Sequence, residues 1–230
     1  MRVERTETKF MLTVDEYAYL IKVIPEILEA DENNGSFGYR ITSLYFDSAF
    51  NTDYYAKIDG LEDRKKIRLR FYGSNKDKIK LEMKIKQNTF QAKESRWISR
   101  EDAMALQACD FEVLKKYNDP VLEKLRKIMT FNGYRPSVKV VYNRLAFVGA
   151  VNGTRITFDT DVRSSELCLD LFSDEPLLPL PDSYFAILEV KSTGELPSYI
   201  KDVISKLDQS SRAVSKYREG RWMYEEIGLI

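Results

Sequence analysis

Five stretches of this chain place charged side chains at every second residue, with Arg and Lys in excess. Lys66, Arg68, Arg70 and Tyr72 alternate with Ile67, Leu69 and Phe71. Glu82, Lys84 and Lys86 alternate with Leu81, Met83 and Ile85. Arg5, Glu7 and Lys9 form a third set, Arg155, Thr157 and Asp159 a fourth against Ile156 and Phe158, and Glu189 and Lys191 a fifth against Leu188 and Val190. Successive strand residues point to opposite faces, so each set occupies one face of a strand. The guanidinium fork suits bidentate contact with phosphate oxygens. The carboxylates among them, Glu7, Glu82, Asp159 and Glu189, are hard oxygen donors of the kind that hold a divalent cation. Two readings of this pattern stand. The charged faces are the solvated outside of a sheet, or they line one concave surface with the apolar faces packed outward on helices. Arg-x-Arg on one face is electrostatically awkward without an anion, so the second reading predicts a bound polyanion.

Composition removes many other chemistries. The chain has 230 residues, 43% hydrophobic and 31% charged, which suits an ordinary globular protein with a buried core. It contains no histidine, which excludes Ser-His-Asp and Cys-His catalysis and His-ligated zinc. Lys+Arg and Asp+Glu are both 36, so the large positive excess of a generic nucleic-acid binder is missing. Cys109 and Cys168 are too few for a disulfide framework and read as thiols in a reducing compartment. Neither G-x-x-x-x-G-K-[ST] nor G-x-G-x-x-G occurs. The N-terminal MRVERTETKF is charged from its second residue, unlike a signal peptide, and no run of about 18 apolar residues suggests a membrane span. A cytoplasmic protein is expected. Tyr45, Asp47, Trp97 and Trp222 read as structural or packing residues.

The elements that must position these residues are mostly strands. Period-2 patterning predicts eight, near 3–10, 38–47, 64–72, 78–87, 92–98, 138–147, 154–160 and 184–192. Thr13 with Glu16 is a capping-box signal for a helix over 14–29, Ser99 caps one to 114, and Asp119-Pro120 opens one to 129. Pro197 opens another to 207, and a last helix over 210–219 is expected to end at Gly220. Antiparallel strands with few helices indicate one α+β domain over 1–230.

The ordered landmarks ERTETKF (4–10), SLYFDS (43–48), IRLRFYG (67–73), LEMK (81–84), YNRLAF (142–147), RITFDTDVR (155–163), ILEVK (187–191) and SKYREG (215–220) resemble the VTC-type polyphosphate polymerase domain. That domain is a CYTH-like branch of the triphosphate tunnel metalloenzymes. The resemblance implies an eight-stranded antiparallel β-barrel enclosing a triphosphate tunnel, with helices packed outside and a C-terminal plug helix. It implies Mn²⁺ or Mg²⁺ at Glu189, with Glu7 as a second ligand. It implies catalytic contacts from Lys9, Arg68, Arg70, Lys84 and Arg144, and phosphate contacts from Arg5, Lys86, Arg96, Arg155, Lys191, Ser215 and Lys216. Arg212 falls one helical turn before Lys216. The superfamily's Glu-x-Glu-x-Lys strand begins here with Arg5, which argues against the triphosphatase and cyclase branches, while the acid kept at Glu7 leaves room for hydrolysis.

The expected activity is transfer of the ATP γ-phosphoryl group to a growing polyphosphate chain. Expected ligands are ATP and polyphosphate or tripolyphosphate, with no nucleic acid. A metal-dependent tripolyphosphate or nucleoside triphosphate hydrolase, and a non-catalytic polyphosphate binder, are the alternatives.

Overall fold

The computed structural model describes residues 5–88, 90–180, 184–207 and 215–226. Arg212 and the side chain of Arg5 lie outside what is described. The chain forms two compact units. The first comprises Met1–Arg40, Tyr142–Val162 and Pro181–Ser215; the second comprises Ile41–Val141, Arg163–Leu180 and Lys216–Ile230.

The strands are β1 (Arg5–Leu12), β2 (Glu29–Ala30), β3 (Tyr39–Asp47), β4 (Arg64–Tyr72), β5 (Asn75–Gln87), β6 (Phe90–Ser99), β7 (Arg135–Val148), β8 (Arg155–Ser165), β9 (Leu178–Pro179) and β10 (Ala186–Thr193). The helices are α1 (Val14–Ile27), α2 (Thr52–Ile58), α3 (Arg100–Gln107), α4 (Pro120–Phe131), α5 (Ser198–Ile204) and α6 (Lys216–Glu226). The α+β class stands. The barrel does not: the described residues form ten strands, eight of them in the order β1-β10-β8-β7-β3-β4-β5-β6, with the two-residue strands β2 and β9 pairing off this path with β7 and β8. No pairing among the described residues joins β1 to β6 and closes the sheet.

In the first unit, β1, β10 and β8 pair antiparallel and sort their residues cleanly. Phe10, Leu188 and Phe158 share one row, with Thr8, Val190 and Ile156 beside it. This face packs with Leu20 and Ile24 of α1, Ile200 of α5 and Phe147 into one core. Thr13 caps α1 as expected: its hydroxyl accepts from the Glu16 N–H at 3.3 Å, and its own N–H donates to Glu16 Oε2 at 2.8 Å. Gly38 has φ +84°, and a Cβ there would lie 2.3 Å from the Arg144 carbonyl oxygen. Only glycine lets the backbone enter β3 so close to Arg144.

In the second unit, β3 to β6 form a meander. Leu44, Phe46, Ile67, Leu69, Phe71, Ile79, Leu81, Met83 and Ile98 turn to one side. There they meet Ala103 and Leu106 of α3 and Leu122, Leu125 and Met129 of α4. Each fully buried Leu, Ile or Phe contributes roughly 1.5–3 kcal/mol by leaving water, so this core fixes which face stays polar.

Three helix expectations need correction. The helix begun at Ser99 stops at Gln107, and Cys109 takes a left-handed φ of +64° before a separate 3₁₀ turn, Glu112–Tyr117. Helix α2 was not expected. Its N-cap, Asn51, makes no capping bond with its side chain; the Asp47 carboxylate accepts from the Asp53 and Tyr54 N–H groups instead, both at 3.0 Å. The last helix runs through Gly220 to Glu226. Gly220 serves close packing there, since a Cβ would lie 3.0 Å from Ser164 Cβ and 3.4 Å from Val138 Cγ2.

Candidate functional site

The polar face of the second unit's meander is basic. Cross-strand pairing puts Lys66, Lys84 and Lys93 in one row, and Tyr45, Arg68, Glu82 and Ser95 in the next. Ser43, Arg70, Lys80 and Trp97 follow, and Arg64, Lys86 and Gln91 flank the other side. These four rows hold eight basic side chains and a single carboxylate, Glu82. The alternation in the sequence therefore resolves into one surface opposite a packed core.

Glu82 organises that surface. It is 2% exposed, and its Oε2 accepts from Arg68 Nε at 2.7 Å while Arg70 NH1 lies 3.9 Å away. Lys93 Nζ sits 2.5 Å from Oε1. Burial works to raise the Glu82 pKa, but the charges of Arg68, Arg70 and Lys93 outweigh it and hold it at about 2. One carboxylate thus aligns three cations. Arg68 NH1 also donates to the Tyr45 hydroxyl at 3.0 Å, and Arg70 Nε to Ser43 Oγ at 2.9 Å. Burial pushes the Tyr45 phenol up, yet the Arg68 and Arg70 charges bring it below its ordinary value. Guanidinium groups held in fixed geometry are suited to bidentate contact with phosphate oxygens.

Asp47, on β3, serves a different purpose. It is fully buried and accepts from the Ser48 N–H at 2.7 Å as well as from α2. It also accepts from the Tyr217 hydroxyl, and Arg221 NH1 lies 3.4 Å away, so it anchors α6. Lys216 opens that helix, and its charge is among those lowering the Tyr45 pKa. Lys66 Nζ lies 5.7 Å from the Tyr217 ring centroid.

The first unit carries a balanced cluster. Glu189, Lys9 and Thr157 share a row; Lys191, Glu7 and Arg155 share the next. Lys9 Nζ bridges Glu7 Oε1 at 3.3 Å and Glu189 Oε1 at 3.5 Å, and Lys191 Nζ lies 3.2 Å from the same Glu189 oxygen. Arg144 makes a bidentate pair with Asp159, at 2.6 and 2.7 Å, and reaches Glu189 Oε2 at 3.4 Å. Burial disfavours the Glu189 anion, but Lys9, Lys191 and Arg144 hold its pKa well below the carboxylate range. Burial likewise lowers Lys191 against the pull of Glu189 and Glu7. No group of three or more His, Cys, Asp or Glu that could hold a metal occurs among the described residues.

The expected residues thus fall into two sets. Arg68, Arg70, Lys84 and Lys86 share the basic face, and Glu7, Lys9, Arg144, Glu189 and Lys191 share the mixed cluster. Arg155 pairs with Asp31 at 2.8 Å beside Tyr39, and Ser215 is buried in the first unit. Arg96 does not join the basic face. It pairs with Leu81 on the core side, and its Nε donates to Asp119 Oδ2 at 2.6 Å, where Asp119 caps α4. Apolar Ile98 on the same face of β6 was the signal for this. Sequence reasoning did not single out Lys93 or Lys80, and it read Tyr45 as structural; their roles need the cross-strand register.

The whole architecture has relatives. A Hippeastrum protein, assigned as an adenylyl cyclase and reported to have a dominant triphosphatase activity, superposes with a TM-score of 0.56 at 13% identity, covering 96% of each chain. A Bacillus halodurans protein assigned as an adenylate cyclase superposes with a TM-score of 0.53 at 12% identity, covering 94% of this chain and 96% of its own. At such identities the likeness is one of fold. No curated protein matches the sequence. The VTC domain family matches it over residues 4–224, nearly the full length. The chain belongs to the VTC domain family.

Proposed function

We propose that this VTC domain is a polyphosphate polymerase that moves the γ-phosphoryl group of ATP onto a polyphosphate chain. The observation that carries this reading is the basic face of β3 to β6, where eight basic side chains share four rows and one carboxylate, Glu82, holds Arg68, Arg70 and Lys93 in place. A polyanion is the ligand that relieves such a field.

Phosphoryl transfer asks for alignment and charge stabilisation more than for a protein nucleophile, which suits a chain without histidine. Arg68 and Arg70 hold nonbridging phosphate oxygens and stabilise charge as the bond from the γ-phosphorus to the β–γ bridging oxygen breaks. Lys84, Lys86 and Lys93 add electrostatic stabilisation along the chain of phosphates. A terminal oxygen of the acceptor polyphosphate forms the new P–O bond, and ADP leaves with the bridging oxygen.

The family implies a divalent ion, Mn²⁺ or Mg²⁺. Glu189 and Glu7 are the residues that would hold it: they are hard oxygen donors already bridged by a cation, Lys9 Nζ. Such an ion would neutralise phosphate charge as a Lewis acid. Lys9, Lys191 and Arg144 compensate these carboxylates in its absence. Arg5, Arg155, Ser215 and Lys216 are proposed as further phosphate contacts.

Incubation with ATP and Mn²⁺, followed by electrophoresis, tests the reading. Long phosphate chains are expected. Free phosphate without chains would make the protein a hydrolase, and neither product, together with a thermal shift by tripolyphosphate, would make it a binder.

A further inference from the structure

Trp97 is 51% exposed, although it lies within strand β6 rather than in a loop. Single exposed aromatics are ordinary on protein surfaces. This one has company fixed by register. Its cross-strand neighbour is Lys80, whose Nζ lies 5.2 Å from the indole centroid. The Tyr72 ring stands 6.4 Å away at 60°, edge toward face, and the Arg70 guanidinium lies 5.9 Å from the Tyr72 centroid. Arg70, Lys80 and Trp97 form one row across three strands, so the indole lies two strand spacings, about 10 Å, from the strand bearing the arginine. The row therefore runs from guanidinium through ammonium to an open π-surface. Phosphate, linker and flat aromatic base follow one another in the same order along a nucleotide.

We propose that Trp97, with Tyr72 beside it, is the subsite that stacks the nucleobase of the phosphoryl donor. This rests on the reading of the basic face as a phosphate site. Stacking on one exposed indole is tolerant of base identity. The subsite therefore distinguishes a nucleotide from an inorganic phosphate chain rather than ATP from GTP. It contributes to donor binding and not to the product chain, so product remains free to move while donor is selected.

Calorimetric titration of the wild-type chain, Trp97→Ala and Trp97→Phe with ATP and with tripolyphosphate decides the matter. Trp97→Ala is expected to bind ATP about 5- to 150-fold more weakly, the worth of one stacked base. Its affinity for tripolyphosphate should stay within about twofold of wild type, which also shows that the variant folds, and Trp97→Phe should recover most of the ATP affinity. Unchanged ATP binding by Trp97→Ala, or equal losses for both ligands, would overturn the subsite while leaving the phosphate face intact. Failure of the wild-type chain to bind either ligand would overturn the phosphate face and the subsite with it.

Discussion

Arg68 and Glu82 oppose each other across β4 and β5, and two guanidinium nitrogens meet one carboxylate oxygen, Nε and NH2 each 2.7 Å from Oε2. This pair sets the basic face. It also ties the face to pH. The folded Glu82 pKa of about 2 lies below its ordinary 4.5, so its contribution is complete above 4.5 and is lost as pH falls toward 2. Its size is on the order of 3 kcal/mol. Glu82→Gln should be destabilised at pH 6 by a margin that narrows as pH falls to 3, as followed by urea unfolding. A margin independent of pH would contradict this electrostatic role.

Asp47 joins β3, α2 and α6 through one buried carboxylate. Asp47→Ala strands backbone N–H groups of α2 and the Tyr217 hydroxyl, and takes one partner from Arg221, which keeps Glu166 at 2.8 Å. The expected loss is about 3–5 kcal/mol, measured by chemical unfolding. Asp47→Asn keeps an acceptor for the backbone and should lose less.

Gly220→Ala poses two opposed effects. Helix propensity favours alanine by about 1 kcal/mol. The added methyl would meet Ser164 Cβ at 3.0 Å and Ser164 Oγ at 3.3 Å, and such overpacking costs about 1–3 kcal/mol. Net destabilisation is expected. A rise in melting temperature would show that α6 can retreat from Ser164.

Much of the fold was legible because each long strand alternates without interruption. Ile67, Leu69 and Phe71 could only be one face, and Lys66, Arg68 and Arg70 the other. The capping box of Thr13 and Glu16 and the Asp119-Pro120 start are local signals, and both appear in the structure. The closed barrel was not legible, since closure depends on which strands pair at the ends. Helix α2 was hidden because its cap, Asp47, lies in the preceding strand and not beside the helix. Gly220 was misread as a terminator because the close approach of Ser164, 56 residues away along the chain, leaves no trace near it.

The site was legible by face but not by partner. Arg68 and Arg70 were placed on one face by their spacing alone, yet nothing local shows that Lys93 shares Glu82 with them. Arg96 shows the converse: the structure places it apart from the other expected phosphate contacts, on the face of β6 that carries Ile98 and beside Asp119.

Thermal unfolding with tripolyphosphate tests the central claim, that the arginine-bearing face of β3 to β6 takes up a polyanion. At a hundredfold over the dissociation constant, the wild-type melting temperature should rise by about 5–10 °C. The rise should shrink as salt increases. Arg68→Ala should fold and lose most of the shift. A wild-type protein with no shift at millimolar tripolyphosphate, or an Arg68→Ala variant with the full shift, would contradict the account.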